Sequence, residues 1–569
     1  MRLLFWKFKT IIEKYRIKLE DRFLPDCHDK DCILSDFSKS YLGDHQIREN
    51  IITFILFSNE QSAALTLSLK SLLQQSDPNW LCMIVTEIDS DNFDSGFLED
   101  VRIRIYSIRK ESNEKFPIQS IISQIESKYF IQINPGDIMH PQFAKILKGF
   151  QGEIIYYDHY IIPNKNNKSA LFLKPQWSPE LWLSVDILYG AVYSVAFVKQ
   201  MIEQYNDDWL ARSILNAKNI VQIPQALITS TAFPWQNTQF VESHIKNVKD
   251  YFVNQDITMP RIEYRSNGSL KFEWSFPTYP KVSILIPNRD QPFILRRCIE
   301  SIYKNTNYPD YEIIIIDDQS QSTKTIDLYS EMISIKKNFH VVQGKHPFNF
   351  SRACNQGAKE AKGDYLLLLN NDTEVFDSEW LKNMVDVATL PGVGAVGAKL
   401  LYPDGRIQHA GVVIGLEGHA SHVFQGVYDD PFTPYGHVDW MRNVSAVTAA
   451  CMLTPKNVFW KVGGFDEQFQ IAFGDIDYCL RLNDADYRIV YTPDACLIHY
   501  EGKSRGDYIP THDISAKAEY FLQKVDQGDP YYHPNLSRAW RIPTFRRKWE
   551  QDPAERLEKI IEYFGDKKF

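Results

Sequence analysis

Two stretches of the chain repeat one alternation of apolar, strand-like runs and helical runs. The first stretch includes FILFSNE (54–60) and LSLKSLLQQSDPNWLCMIV (67–85), and the second includes SILIPNRD (283–290) and RRCIESIYKNTNYPDYEIIII (296–316). Apolar strands that alternate with helices are typical of a mostly parallel sheet covered by helices. The sequence therefore predicts an α/β protein with two tandem domains that arose by duplication.

Shifts in polarity along the 569 residues indicate the domain boundaries. At ~150 residues per domain, this length suits about three or four units. We predict an N-terminal helix and linker at 1–49, a first domain at 50–235 and a connector with a turn at 236–280. A second domain follows at 281–514, and a polar helical tail at 515–569.

Residues 1–24 (MRLLFWKFKTIIEKYRIKLEDRFL) combine apolar residues at helical spacing with interleaved lysines and arginines. Such an amphipathic helix can lie in an anionic lipid interface, or it can pack on the protein's own surface or on a partner. Basic and aromatic residues also cluster between Arg538 and Trp549. Such a cluster can form a solvated face of the protein, or it can lie against lipid headgroups. Peripheral contact with a membrane is one expectation from these two segments.

Composition and charge exclude several classes of protein. The net charge of −9 argues against bulk nucleic-acid binding, which calls for a basic surface. The apolar runs are strand-sized, well below the ~18–20 residues that span a bilayer, so a transmembrane transporter is excluded. The eight cysteines are scattered without CxxC spacing, and the N-terminus lacks the features of a signal peptide, so we expect a reducing cytoplasm.

Acidic residues follow two of the predicted strands in the second half. Asp317 and Asp318 end the run at 311–316, and Asp372 follows the run at 365–369. Ligands bind at the carboxyl ends of parallel strands, where a carboxylate can accept hydrogen bonds from a nucleotide or bind a divalent cation. Each aspartate could instead cap the next helix. Several carboxylates at strand ends favour a binding site.

The segment AFGDIDYCLRL (472–482) contains two further carboxylates beside a glycine. Asp475 could act as a general base or cap the following helix. Asp477 and Arg481 have the i,i+4 spacing of a helical ion pair, which we expect to be structural. His499 ends an apolar run, and a lone histidine at such a position is compatible with a metal ligand or with an ordinary core residue.

Seven motifs in the second half resemble the GT-A family 2 glycosyltransferases of bacterial surface-polysaccharide assembly, above all the tandem-domain type of O-antigen or rhamnan biosynthesis. They cover residues 281–506 in the family's order: VSILIPNRD (282–290), TNYPDYEIIIIDDQS (306–320), FNFSRACNQGAKEAKGDYLLLLNNDTEV (348–375), GVGAVGAKLLYPDGRIQHAGVVIG (392–415), SAVTAACMLTPKNVFWKVGGFDE (445–467), AFGDIDYCLRL (472–482) and IHYEGKSRG (498–506). The resemblance implies two Rossmann-like GT-A domains in tandem.

The resemblance also implies roles for individual residues. Asp475 would be the catalytic base of an inverting hexosyl- or rhamnosyl-type transfer, and Asp372 and His499 would bind Mg²⁺ or Mn²⁺. The implied donor-binding residues are Pro287, Asn288, Asp317, Asp318, Arg352, Asn370 and Asn371. Asn370 replaces the first aspartate of the family's DxD motif. The implied acceptor-binding residues are Gly463, Gly464, Phe465 and Asp466.

Some residues depart from the family pattern. Gly474 replaces a usual Asn or Glu, and Tyr500-Glu501-Gly502 differs from the usual His-Glu-Ser. The first half resembles the family at 153–158 and 172–181, but Asp137 is its one DxD remnant and no histidine follows at 226–234. We expect an inactive or acceptor-binding first domain rather than a second active transferase.

The expected partners are a nucleotide-sugar donor and a glycan or lipid-linked glycan acceptor, with no nucleic acid. From the family and residues 1–24, we expect a cytoplasmic protein, peripheral on the inner face of the membrane. The alternative is a non-catalytic nucleotide- or glycan-binding scaffold of an assembly complex. A GxGxxG match at 392–397 follows a helix and leads into an apolar run, which is the wrong context for a dinucleotide site.

Overall fold

The computed structural model of the protein describes residues 51–60, 62–87, 99–107, 118–162, 170–205, 209–230, 235, 237–345, 347–428, 431–500 and 511–565. The helix predicted over residues 1–24 and its linker lie outside the described residues, as do Glu501 and Gly502 of the segment that departs from the family pattern.

The first domain is built on a nine-stranded sheet with the order β3-β2-β1-β4-β8-β6-β9-β5, in which β7 pairs with β6. Its strands are β1 Ile52–Phe57, β2 Trp80–Thr86, β3 Ile103–Ser107, β4 Tyr129–Ile133, β5 Ile138–Met139, β6 Ile154–Ile161, β7 Ala170–Phe172, β8 Val192–Ser194 and β9 Ile220–Ser230. Its helices are Ala63–Leu73, Ile118–Ser123, Phe143–Leu147, Pro179–Ser184, Val195–Tyr205 and Trp209–Asn216.

A helix, Thr238–Asn254, and a hairpin of β10 Arg261–Tyr264 and β11 Leu270–Glu273 fill the region that we predicted as a connector. The predicted turn at Asn267-Gly268 closes this hairpin, and Gly268 adopts a φ of 85°. Phe252 and Trp274 are buried in a core that includes residues of both flanking domains. Residues 236–280 are therefore a packed part of the fold.

The second domain repeats the strand order of the first as β14-β13-β12-β15-β22-β17-β23-β16. The strands of this domain are β12 Val282–Asn288, β13 Tyr311–Asp317, β14 Phe339–Gln343, β15 Tyr365–Leu369, β16 Thr373–Val375, β17 Val393–Leu401, β18 Ile407–His409, β19 Val412–Ile414, β20 Ala420–His422, β21 Arg442–Asn443, β22 Cys451–Pro455 and β23 Arg488–His499. Outside the order given above, β18 pairs with β17, β21 pairs with β23, and β19 and β20 form a separate two-stranded sheet. The helices are Pro292–Lys304, Thr323–Ile335, Phe350–Glu360, Trp380–Ala388, Lys456–Lys461, Gly474–Asp484, Thr511–Ser515, Ala518–Gln527 and Pro553–Gly565, with a 3-10 turn at Leu416–Gly418.

The two sheets confirm the predicted α/β class, and their shared strand order is the one that a duplication would produce. In each sheet the first four strands of the order are parallel. The pairs that follow are antiparallel, except for the parallel pairs β6–β9 and β17–β23. The local pattern explains the elements: all seven residues of β12 are buried, and the helix Pro292–Lys304 buries Leu295, Cys298, Ile299 and Ile302. The GxGxxG match falls across the start of β17 and opens no helix.

The two domains contact each other through the very segments of the first domain that resemble the family. Glu180, 1% exposed, receives hydrogen bonds from Arg488 Nη2 at 2.7 Å and from Asn443 Nδ2 at 2.6 Å. The backbone of Leu173 bonds to the carbonyl of Pro434 at 2.9 Å. In the first domain, this motif region therefore serves as an interdomain interface.

No helix in the described part of the chain has the length and hydropathy needed to cross a membrane. The six cysteines that the structure describes are free thiols, and five of them are buried. Burial raises the pKa of these buried thiols, which keeps them protonated and unreactive.

Candidate active site

The second sheet brings Asn288, Asp317 and Asn371, three of the predicted donor-binding residues, to one edge. Parallel strands β12, β13 and β15 are neighbours, and in this register Asn288 lies opposite Asp317 at the strand ends. Asn371, which follows β15, donates a hydrogen bond from Nδ2 to Asn288 Oδ1 at 2.6 Å. The side chains at this edge therefore form one hydrogen-bonded surface.

Tyr329 connects two of these residues, and sequence reasoning missed it. Asn288 Nδ2 donates to the Tyr329 hydroxyl at 2.8 Å, and this hydroxyl donates to Asp317 Oδ1 at 2.8 Å. Burial raises the pKa of Tyr329, so the hydroxyl keeps its proton. Ser320 donates to Asp317 as well, from its backbone at 3.2 Å. Asp317 thus accepts hydrogen bonds from within the domain and holds Tyr329 in place beside Asn288, which agrees with a supporting role.

Asp318 and Arg352 have different surroundings. Asp318 is 3% exposed, and its carboxylate lies 3.5 Å from the guanidinium of Arg289. Arg352, on the helix Phe350–Glu360, donates from its guanidinium to the carbonyl oxygens of Lys345, at 3.1 Å, and Pro347. The guanidinium of Arg352 therefore binds its own preceding loop in this structure. Pro287 is buried within β12.

Asp372 and His499 come together because β16 pairs antiparallel with β23, with Thr373 opposite His499. His499 Nε2 lies 3.1 Å from Asp372 Oδ1 and 3.2 Å from Asn370 Nδ2. Asp372 is 3% exposed and His499 is 7% exposed. The strand pairing thus joins two candidate metal ligands that are 127 residues apart in the sequence.

Gln408 sets the orientation and tautomer of His499. Its Oε1, which can only accept, lies 2.6 Å from His499 Nδ1, so Nδ1 carries a proton. In the neutral ring, the lone pair of Nε2 then points toward the carboxylate of Asp372. A cation between these two atoms would satisfy both lone pairs, and carboxylate oxygen with imidazole nitrogen suits Mn²⁺ and similar ions. Gln408 lies within a motif that resembles the family, but a glutamine in the sequence does not by itself indicate that it orients a histidine.

The described residues contain no group of three or more His, Cys, Asp or Glu side chains around one point. Asp372 and His499 would supply two of the ligands of a divalent ion. This arrangement suits Mg²⁺, which is commonly bound by one or two carboxylates plus substrate phosphates and water. The residues present fit such an ion.

Asp475 is connected to this edge through the loop before β22. It is the second residue of the helix Gly474–Asp484, and its Oδ2 accepts the N–H of Ala449 at 3.0 Å. The adjacent carbonyl of Ala450 accepts the N–H of Asn370 at 3.1 Å. Two successive residues of one loop therefore link Asp475 to the candidate metal site.

The residues around Asp475 explain two features of the sequence. A Cβ at position 474 would lie only 2.7 Å from Ser351 Oγ. Gly474, which replaces the family's usual Asn or Glu, thus leaves room for the side chain of Ser351. The predicted ion pair between Arg481 and Asp477 is present at 2.8 Å, and Arg481 also donates to the carbonyl of Gly464 at 2.7 Å. Arg481 thus connects the helix Gly474–Asp484 to the loop that contains Gly464.

The predicted acceptor loop borders a cavity of about 370 Å³, which Gly463, Phe465 and Asp466 help to line. Gly463 and Gly464 have φ values of 88° and 68°, which favour glycine. Phe465 is 2% exposed and packs in the core. Asn355, missed by sequence reasoning, accepts the N–H of Phe465 at 2.8 Å and donates to its carbonyl at 2.8 Å.

The matching edge of the first domain lacks this arrangement. Asp137 directly precedes β5 as Asp372 precedes β16, but Thr229 lies opposite Ile138 where His499 lies opposite Thr373. The carboxylate of Asp137 accepts hydrogen bonds from Ser230 at 2.7 Å and from Tyr189 at 3.0 Å. Burial raises the pKa of Asp137. Its oxygens are thus engaged within the first domain.

Comparison with known proteins gives consistent matches. Residues 283–463 match the model of glycosyl transferase family 2. The O-antigen biosynthesis protein RfbC of Myxococcus xanthus is 32% identical over 461 residues, 77% of this chain and 36% of that protein. The uncharacterized protein y4gI of Sinorhizobium fredii is 30% identical over 527 residues, 84% of this chain and 56% of that protein.

A shorter match covers the N-acetylglucosaminyl-diphospho-decaprenol L-rhamnosyltransferase of Mycobacterium tuberculosis. It is 27% identical over 188 residues, 32% of this chain and 58% of that protein. The chain thus spans between 36% and 58% of the length of these three relatives.

Proposed function

We propose that the chain, which belongs to glycosyltransferase family 2 through residues 283–463, transfers a sugar from a nucleotide-sugar donor to a growing cell-surface polysaccharide. The observation that carries this proposal is the contact of Asp372 with His499 at the strand ends, one loop away from Asp475. The transfer would be metal-dependent and would invert the anomeric carbon.

The chemistry can be assigned to residues of this edge. Asp475 accepts the proton of the attacking hydroxyl, which forms the new bond to the anomeric carbon. The bond between that carbon and the diphosphate oxygen breaks on the opposite face, so one displacement inverts the configuration. A Mg²⁺ or Mn²⁺ ion bound by Asp372 and His499 would neutralise the departing diphosphate.

The donor would extend from this point along the strand ends. The buried carboxylate of Asp318 and the amide of Asn288 lie at the ends of adjacent strands, where a nucleoside binds in open α/β sheets. Gly463 and Asp466 line the cavity on the other side, which we assign to the acceptor.

We assign a non-catalytic role to the first domain. Thr229 takes the place of the histidine, and the carboxylate of Asp137 is bonded to Ser230 and Tyr189. Glu180, in contrast, contacts Arg488 of the second domain. The first domain would thus support the second.

The acceptor would be a glycan, free or lipid-linked, at the inner face of the cytoplasmic membrane. The names of two relatives support this assignment: one is an O-antigen biosynthesis protein, and another is an N-acetylglucosaminyl-diphospho-decaprenol L-rhamnosyltransferase. Residues 1–24 supply the cationic, amphipathic segment for peripheral membrane contact.

Donor hydrolysis tests the proposed function without knowledge of the acceptor. The protein is incubated with a panel of UDP-, GDP- and dTDP-sugars plus Mn²⁺, and release of nucleoside diphosphate is measured. We expect slow release that Asp475→Asn abolishes while nucleotide binding persists. Asp484→Asn is the matched control, because Asp484 ends the same helix and is 44% exposed. Nucleotide binding without release from any donor would favour the scaffold alternative.

A further inference from the structure

A short segment after residue 510 contacts the loop that precedes Asp475. The carboxylate of Asp513 is 1% exposed and accepts three successive backbone N–H groups. Oδ1 accepts from Gln470 at 2.9 Å, and Oδ2 accepts from Ile471 at 2.7 Å and from Ala472 at 2.8 Å. Hydrogen bonds from backbone N–H groups to a carboxylate are among the stronger ones in proteins. Asp513 therefore fixes the backbone of this loop.

The loop fixed in this way has an unfavourable conformation just before the catalytic helix. Phe473, the residue between Ala472 and Gly474, has a φ of 63°, which is rare for a bulky side chain. Such a conformation persists only where the surrounding structure enforces it. The backbone position of Asp475, two residues further on, thus depends on the contacts of Asp513.

Lys517 contacts the other side of the same helix. Its Nζ lies 2.7 Å from Asp477, which is fully buried, and 2.7 Å from Asp466 of the acceptor loop. Burial disfavours the charged form of Lys517, but the two carboxylates outweigh it and raise its pKa. The charged side chain thus joins the helix of Asp475 to the loop that borders the cavity.

We propose that Asp513 and Lys517 form an acceptor-side clamp, a pair of positioning residues that align the catalytic base with the acceptor loop. The clamp rests on the proposed function, because it acts through Asp475 and Asp466. Neither residue would touch the donor. Asp513 contacts the backbone that precedes the helix Gly474–Asp484, and Lys517 contacts the carboxylates of Asp466 and Asp477. The clamp should therefore affect turnover and leave donor affinity unchanged.

Two matched controls separate positioning from simple attachment of the tail. Asp529 is also a buried aspartate of the tail, and its carboxylate accepts the N–H of Ile414 at 2.8 Å, away from Asp475. Lys524 also links the tail to the helix Gly474–Asp484, but it contacts Asp484 at the far end. Asp529→Asn and Lys524→Met remove comparable attachments without touching the clamp.

The experiment compares Asp513→Asn with Asp529→Asn, and Lys517→Met with Lys524→Met, in the full-length protein. Release of nucleoside diphosphate is measured at saturating nucleotide sugar with Mn²⁺, together with the affinity for UDP, GDP or dTDP plus Mn²⁺ and the Tm. We expect turnover to fall about 10- to 100-fold in the clamp variants alone, at unchanged nucleotide affinity. Lys517→Arg should restore part of the turnover.

Clamp variants that lose no more turnover than their controls, or that lose nucleotide affinity in parallel, would overturn the clamp. Should Asp513→Asn fail to fold, the comparison of Lys517→Met with Lys524→Met decides the question. These outcomes are distinct from failure of the proposed function, which would appear as no nucleotide release by the wild type or as full turnover in Asp475→Asn.

Discussion

Replacing Gln408 by leucine should weaken metal binding without changing either proposed metal ligand. Gln408 is 2% exposed, and its 2.6 Å hydrogen bond is the contact that fixes His499 Nδ1 as the protonated nitrogen. Leucine has a similar volume but no acceptor, so the ring can rotate and either nitrogen can carry the proton. Loss of such a partner typically costs about 10- to 100-fold in metal affinity, or about 1.4–2.7 kcal/mol.

Calorimetric titration of Mn²⁺ in the presence of UDP, with GDP and dTDP as alternatives, measures this effect. Gln408→Glu is the matched control, because a carboxylate still accepts from Nδ1 and should retain most of the affinity. Equal Mn²⁺ affinity in the wild type and in a folded Gln408→Leu variant would refute the idea that Gln408 orients a metal-binding histidine.

Two further predictions concern stability. Glu180→Ala should lower the free energy of unfolding by about 1–3 kcal/mol, because it removes the hydrogen-bond partner of Asn443 and of Arg488, whose side chain is 28% exposed. Urea unfolding with Arg488→Met in a double-mutant cycle measures the coupling, and additive losses would contradict it. Burial raises the pKa of Asp386 to about 6, despite its bond to Lys382, so ionisation is harder in the folded state. Relative to Asp386→Asn, the wild type should lose stability as pH rises from about 4 through about 6; parallel pH profiles would contradict this.

The strands were predictable because their sequence pattern is local. Runs such as 365–369 are apolar throughout, and burial on both faces of a parallel sheet requires that pattern. The strand ends, and with them Asp317 and Asp372, could therefore be located from the sequence. The helix Thr238–Asn254 was missed because its mixed polarity resembles that of a connector.

The parts of the site that depend on long-range pairing were not predictable from local pattern. The contact of Asp372 with His499 follows from the register of β16 against β23. For His499 and Asp475, the resemblance to the family gave the position but not the partners. Gln408 and Asp513 are polar residues whose function depends on what lies opposite them, and the sequence around each carries no sign of it.

Strand β23 runs for 12 residues from Arg488 to His499. At ~3.3 Å per residue it extends for about 35 Å. One end binds Glu180 of the first domain, and the other end supplies the histidine beside Asp372. A protein truncated to its second domain would leave Arg488 without its ion-pair partner Glu180, and Val282 and Trp380 without the first-domain neighbours that share their core. Removal of the first domain, to which we assign a non-catalytic role, should therefore still reduce the proposed activity of the second domain.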